Sequence, residues 1–320
     1  MKQAETFAVT VIAKQFNGTG NLLLTLKRAD ALALPSYTPG AHIDVAIPLC
    51  GKRQYSLCSA AEAEEDEYQI CVRLDAASTG GSHWLHHQLN QGDSLTISAP
   101  RNHFPLPTSS RTLLFAAGIG LTPLLVMAEA LAARAADFTL HLYLKNRDEL
   151  AFSARLKSLG DRVVYHFSSE NESLRQHIPD DLLFIENSVI VACGPEGFMQ
   201  NLQRLSQQYG WNSDQFYTER FKPSTVTQPI NTDSFDVEIA SSGARFTIKQ
   251  EESIAEVLER EGIEIDLSCE QGMCGTCVTR VIAGQPDHRD DVLNMKQKAA
   301  NDCIVLCCSR SHSPLLVLDL

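Results

Sequence analysis

Apolar and polar positions change rhythm twice along the chain, and the changes divide it into three stretches. Over residues 1–105, short alternating or apolar runs recur at Phe7–Ala13, Leu22–Lys27, His42–Ile47, Tyr68–Leu74 and Ser94–Ser98, and Arg53–Leu57 opens a further strand. Asn17-Gly18, Pro39-Gly40 and Gln91-Gly92-Asp93 punctuate these runs as turns. That rhythm predicts a small antiparallel β-barrel. One helix is expected over His83–Leu89, with Ser82 as its N-cap. From 106 to 223, apolar strands at Thr112–Ala116, Thr139–Leu144, Arg162–His166 and Ser188–Ala192 alternate with helical stretches at Leu124–Arg134 and Gly197–Tyr209. Such alternation predicts an α/β domain with a parallel sheet. Residues 224–233 read as a linker. In 234–320, Ser234–Ile239 and Ala244–Lys249 form a hairpin around Ser241-Ser242-Gly243, a helix follows at Ile254–Glu261, and Ile304-Val305-Leu306 reads as a buried strand.

Composition narrows the class. The chain is 44% hydrophobic and 21% charged, as in ordinary globular domains. A formal charge of −12 argues against nucleic acid as a partner. No apolar run approaches a membrane span, and the polar start Met1–Glu5 leads into no hydrophobic signal core, so a cytoplasmic protein is expected. Cys50, Cys58, Cys71 and Cys193 sit among apolar neighbours and read as buried thiols. Residues 234–320 carry 15 acidic and 8 basic side chains, a net of −7. That excess reads either as simple solubility or as an acidic face that steers a basic partner.

The cysteines carry the most specific chemistry. Cys269, Cys274, Cys277 and Cys307 are separated by four, two and twenty-nine residues. The first two gaps are the plant-type spacing for four thiolates holding a 2Fe–2S cluster. Gly272, Gly275 and Thr276 provide the lack of bulk that a loop around inorganic sulfide requires. Zinc fits less well, because only one Cys-x-x-Cys hook is present. Cys307 is the expected fourth ligand, delivered by the preceding strand, with Cys303 as second choice; Cys308 is expected on the opposite strand face.

Further motifs point to phosphate-bearing ligands. Arg53, Tyr55 and Ser56 offer a charge, a ring and a hydroxyl on one strand. Ala77-Ser78-Thr79-Gly80-Gly81-Ser82 opens a helix, where freed backbone N–H groups make a phosphate cradle. Ala117-Gly118-Ile119-Gly120-Leu121-Thr122-Pro123 joins a strand to a helix, with Pro123 at the first helical position. Cys193-Gly194-Pro195 does the same at another strand end, and two such turns suggest a nucleotide cleft. The histidines form no metal pattern: His83, His86 and His87 read as a solvated or capping helix face, and His288 as part of a surface turn.

In this order the pieces resemble the phthalate dioxygenase reductase family, which includes vanillate demethylase reductases. Arg53–Leu57, Gly80-Gly81-Ser82, Gly118–Pro123, Cys193-Gly194-Pro195, Glu219-Arg220-Phe221, the cysteine set, Asp287-His288-Arg289-Asp290 and Cys307-Cys308-Ser309-Arg310 carry the resemblance, across nearly the whole chain. It implies a flavin-binding barrel, a ferredoxin reductase-like nucleotide domain and a C-terminal β-grasp-like ferredoxin. Arg53, Tyr55 and Ser56 would contact flavin, with Gly80, Gly81 and Ser82 on its phosphate. Thr122 would lie near the isoalloxazine and Phe221 over its ring. Gly118, Gly120, Cys193, Gly194 and Pro195 would line the pyridine-nucleotide cleft. Ser78-Thr79 stands where relatives often place an arginine, which leaves Arg73 as a substitute. FMN is expected over FAD, since residues 83–110 show no aromatic platform for adenine. NADH is the expected donor, although Lys145 and Arg147 suit a 2′-phosphate. The implied partner is a Rieske-type oxygenase acting on an aromatic compound, and the implied state is a monomer. Two alternatives stay open: the same electron chain serving a cytochrome-type monooxygenase or a separate ferredoxin, or a non-enzymatic carrier joined to a scaffold.

Overall fold

The computed structural model describes residues 5–59, 66–75, 80–183, 186–221, 234–267, 272–273, 275–293 and 295–320. The expected linker 224–233, Ala77-Ser78-Thr79, Cys269 and Cys274 lie outside these residues. The chain divides into two units, Met1–Glu219 and Arg220–Leu320.

In the first unit, strands β1 (Thr6–Phe16), β2 (Asn21–Arg28), β3 (His42–Ile47), β4 (Gly51–Ser56), β5 (Tyr68–Arg73) and β6 (Ser94–Ser98) make one antiparallel sheet. Its order is β4-β3-β6-β1-β2-β5, and a bridge between Leu57 and Ile70 brings its two edges together into a nearly closed barrel. Inward positions such as Val9, Val11, Leu24, Ile43, Val45 and Ile70 are fully buried, as the alternating pattern requires. Arg53–Ser56 occupies the end of β4 rather than the start of a strand, because pairing with β3 already begins at Gly51.

Helix α1 (Gly81–His87) is capped differently from the sequence expectation. Gly80 takes the cap position with φ of 107°, while the Ser82 hydroxyl accepts the Asp75 N–H at 3.2 Å. A serine bonded to the segment leaving β5 is not available as a cap. His86 is buried, with Nε2 2.9 Å from the Val72 carbonyl, and only His83 and His87 remain on the solvated face.

The second sheet contains β7 (Arg111–Ala117), β8 (Asp137–Leu144), β9 (Val163–Phe167), β10 (Ser188–Cys193) and β11 (Phe216–Glu219), in the order β11-β10-β7-β8-β9. All pairings are parallel. Every residue of β10 is buried, as expected for a strand covered on both faces. Helices α2 (Leu121–Ala133), α3 (Ser153–Ser158) and α4 (Glu196–Gln208) supply the cover. A 3₁₀ turn at Gly118–Gly120 runs into α2, so Pro123 is its third residue rather than its first. The ring is tolerated there because the first four helical N–H groups have no intrahelical acceptor.

Polar links join the barrel to the parallel-sheet half. The Asn17 side-chain carbonyl accepts the Phe152 N–H at 2.8 Å, and Thr19 N–H donates to the Asp148 carbonyl at 2.9 Å. Arg155 forks onto Glu129 and donates to the Cys58 carbonyl.

The second unit is built from β12 (Phe235–Ile239), β13 (Arg245–Ile248), α5 (Ile254–Arg260), β14 (Val278–Ala283), β15 (Pro286–Asp287), α6 (Met295–Ala300), β16 (Cys303–Val305), β17 (Arg310–Ser311) and β18 (Leu315–Leu318). Five strands form a mixed sheet, β13-β12-β18-β14-β16, and β15 pairs with β17. Val237, Ile248, Leu258, Ile304 and Leu316 meet in its core. A reciprocal Ser253–Glu256 capping box starts α5. Asp287–Asp290 is no surface turn: Asp287 and Asp290 are buried, and the His288 side chain is only 9% exposed. Burial is sustained because Arg289 forks onto Asp287 and the Leu293 N–H donates to Asp290. Among the described residues, no helix is long and apolar enough to cross a membrane.

Asn17→Ala is expected to lower stability by about 1 kcal/mol, the worth of one hydrogen bond. Denaturant unfolding checks this, with an unchanged midpoint as the contrary result.

Candidate functional site

The C-terminal ends of the parallel strands carry the first site. β7 and β10 are neighbours whose following helices leave from adjacent turns, which is where an open sheet parts to admit a ligand. The Gly118–Gly120 turn presses on the Cys193-Gly194 turn so closely that any side chain at Gly120 would collide with the Cys193 carbonyl. Pro195 follows as the N-cap of α4. The Thr122 hydroxyl donates to the Ile119 carbonyl at 3.0 Å, and the residue is buried, so it fixes the turn.

Barrel residues reach the same strand ends. Arg73, last in β5, places Nη1 2.8 Å from where a Cβ on Gly118 would sit, and its Nη2 lies 3.7 Å from Glu149. Its guanidinium therefore stands at the Gly118–Gly120 turn. Arg53 takes up the other expected cradle: its stem runs 3.1 Å from a Cβ position on Gly81, with the Cys50 thiol against Gly80. Tyr55 lies beside Arg53, and burial pushes its phenol pKa up. Arg53, Tyr55 and the Gly80-Gly81 turn thus set a cation, a ring and open backbone side by side, which fits a flat phosphate-bearing cofactor.

Ser56 leads to a residue that sequence reasoning quoted but gave no role. Its hydroxyl donates to Glu219 Oε2 at 3.4 Å, and Glu219 pairs in register with Cys193 across β10 and β11. Burial raises the Glu219 pKa from 4.5 to about 8, and the Ser56 hydrogen bond opposes only part of this. Burial also drives the Cys193 thiol well up, with the neighbouring carboxyl as a smaller cause. Ser56 and Cys193 are buried and Glu219 is half-buried, and the three are largely uncharged near neutral pH. A lone carboxylate ending a strand beside a glycine turn was the available signal.

The second site lies in the second unit. Strand β16 stops at Val305, and Leu306–Cys308 is a turn, so Cys307 is not simply the next strand residue. Nor does Cys308 point away: its Sγ lies 2.5 Å from a Cβ position on Gly272. Gly272 has φ of +74°, and its N–H donates to Cys307 Sγ at 3.2 Å. A backbone donor on a sulfur, in a loop where a side chain would strike a thiol, suits a thiolate bound to a cluster. Cys277 is buried and joins the core that supports this loop. Asp291 N–H donates to the Gly272 carbonyl at 3.0 Å, and Arg220 pairs with Asp291 at 3.3 Å. The Phe221 side chain is 39% exposed.

Known proteins combine the same parts. Residues 237–311 match the 2Fe-2S iron-sulfur cluster binding domain family. The vanillate O-demethylase oxidoreductase of Pseudomonas putida is 44% identical over 296 residues, 90% of this chain and 92% of that protein. The solved phthalate dioxygenase reductase matches with a TM-score of 0.67 and 30% identity over 98% of both chains. The chain belongs to this reductase family. It is an oxidoreductase with the ferredoxin-reductase-like fold, and its cofactors are a flavin and a 2Fe–2S cluster. An intact type IV self-sufficient cytochrome P450 monooxygenase also aligns, with a TM-score of 0.86 and 30% identity. All of this chain is covered there, but only 42% of that longer one.

Glu219 sets a pH dependence. A buried carboxyl with a raised pKa adds most stability below its unfolded value and loses it as pH rises through its folded value. Stability should therefore fall between about pH 4.5 and about pH 8. Glu219→Gln is expected to flatten that limb of a plot of denaturant midpoint against pH, and an unchanged slope would count against the assignment.

Proposed function

We propose that the protein is an NADH-dependent reductase that passes electrons through FMN and a 2Fe–2S cluster to a Rieske-type terminal oxygenase acting on an aromatic compound. The observation that carries this reading is the match along the whole length of the chain to family members that join a nucleotide cleft to a cluster domain. When bound, the flavin converts a two-electron hydride into single electrons that the cluster can accept.

The chain's own residues have defined tasks in this reading. Arg53, Gly80, Gly81 and Ser82 hold the flavin phosphate, and Tyr55 and Ser56 support the ring. Gly118, Gly120, Gly194 and Pro195 admit the nucleotide backbone, with Arg73 as a cation at its phosphates. Thr122, Cys193 and Phe221 shape the place where the two rings meet, and Glu219 holds a proton beside Ser56. Cys269, Cys274, Cys277 and Cys307 ligate the cluster. FMN is favoured because the loop after β6 offers no open phenyl, phenol or indole ring: its one such residue, Phe104, is buried. Cys307 and Cys308 border a cleft lined also by Glu251, Glu252, Glu256 and Glu259, which suits a partner with a basic contact surface. The P450 likeness favours a second reading, in which the acceptor is a cytochrome-type monooxygenase.

Anaerobic titration with NADH should bleach both flavin and cluster absorbance and give the EPR signal of a reduced 2Fe–2S centre. Flavin bleaching alone would sink the internal chain, and turnover with purified oxygenases of each class separates the two acceptors. Cys307→Ser is expected to lose the cluster spectrum, while Cys303→Ser and Cys308→Ser keep it. Arg53→Ala should weaken flavin retention by roughly ten- to a hundredfold, the worth of a charge-assisted hydrogen bond, measured by flavin release on dilution.

A further inference from the structure

Three aspartates lie within Asp287–Asp291, and each meets a cation of different origin. Asp287 accepts a fork from Arg289, two residues on. Asp290 lies 3.6 Å from the Lys298 ammonium on α6. Asp291 pairs at 3.3 Å with Arg220, which stands 71 residues earlier and directly after β11. The first two cations come from the same stretch of chain as their acids. Arg220 is instead the first residue of the second unit, and it has no task in the electron path described above.

This acidic segment presses on the loop between the cysteines. The Asp290 Cα lies 3.3 Å from a Cβ position on Gly272, and the Asp291 N–H donates to the Gly272 carbonyl at 3.0 Å. Gly272 in turn donates its own N–H to Cys307 Sγ. One residue further on, the Val292 side chain lies 3.1 Å from a Cβ position on Gly275. The Arg220 and Asp291 side chains are only 21% and 17% exposed, so salt screens their charges weakly. Elsewhere the unit offers no surplus of cations, since residues 234–320 carry 15 acidic and 8 basic side chains.

We propose that Arg220 is a positioning residue for electron transfer: by pairing with Asp291 it offsets a carboxylate beside the Gly272 loop and so raises the reduction potential of the cluster. One-electron reduction adds one negative charge to a 2Fe–2S centre, and nearby net charge and hydrogen bonds to the sulfurs set the potential at which this happens. A carboxylate on the segment that braces the loop opposes the incoming electron. A guanidinium on that carboxylate removes the opposition while leaving the Asp291 N–H to hold the Gly272 carbonyl. This inference rests on the reading that places the cluster on Cys269, Cys274, Cys277 and Cys307.

The test is an anaerobic redox titration of the full-length holoprotein, in which dithionite supplies single electrons through mediators and the EPR signal of the reduced centre is followed. Arg220→Ala should lower the midpoint potential, because the Asp291 charge stays without the guanidinium. Asp291→Asn should raise it, because the carboxylate goes and the guanidinium stays. Each shift should be roughly three- to tenfold in the one-electron equilibrium, tenfold being about 59 mV. The double variant restores the charge balance and should lie closer to the unmodified protein than either single variant, and Arg220→Lys should stay near it. Iron content and the visible spectrum check that each variant carries its cluster. A bracing role without electrostatics would move both single variants the same way, and that result, or unmoved potentials, would overturn the proposal. If Arg220→Ala holds no cluster, a raised potential in Asp291→Asn with an unchanged one in Arg220→Lys supports the proposal, and any other pair of results overturns it. An unmodified protein that gives no 2Fe–2S signal with dithionite would sink the cluster reading, and this inference with it; a normal signal with unmoved potentials sinks this inference alone.

Discussion

The turn after β7 and the turn after β10 pass each other with no room for a side chain between them. A side chain at Gly120 would enter the Cys193 carbonyl, and one at Gly194 would lie 2.8 Å from Ala117 Cβ and 3.0 Å from the Phe198 ring. The parallel order β11-β10-β7-β8-β9 makes this crossing unavoidable, since the chain winds away from β7 in both directions. Bare backbone is therefore what the cleft presents at its centre. The barrel supplies the charge the backbone lacks, through Arg73 at Gly118 and Arg53 at Gly81.

Charge is distributed accordingly. Groups along the cleft resist ionisation: desolvation raises the Tyr55, Cys193 and Glu219 pKa values. Cations sit further out, where water and carboxylate partners such as Glu149 and Glu170 moderate them. A site arranged this way suits phosphates at its rim and a neutral ring system within.

Local chemistry was largely legible in the sequence. Strand positions in the barrel followed from runs that alternate, as in β1, or are apolar, as in β2, and the parallel sheet followed from near-continuous apolar runs such as Ser188–Cys193. Departures arose where a long-range partner overrode a local preference. Ser82 has the composition of a cap, yet Asp75 holds its hydroxyl. His288 and its flanking acids look solvated, but ion pairs and backbone donors allow them to be buried. Cys307 and Cys308 seemed to continue a strand, but the chain turns after Val305 and shows both thiols to Gly272. Glu219 and the fork that Arg147 makes on Glu170 could not be read from spacing, since each depends on which strands become neighbours.

Chain order in the second unit has a consequence for biosynthesis. Its central strand, β18, is the last of the five to be made, yet β12 and β14, which flank it, both precede it. Until Leu315–Leu318 has left the ribosome, the earlier strands have no middle to pair with, and the loop bearing Cys277 and the turn bearing Cys307 rest on an open sheet. The first unit closes from strands that all emerge earlier, so it has time to fold by itself. The sheet that seats the cluster-bearing turns is thus completed only by its last-made strand.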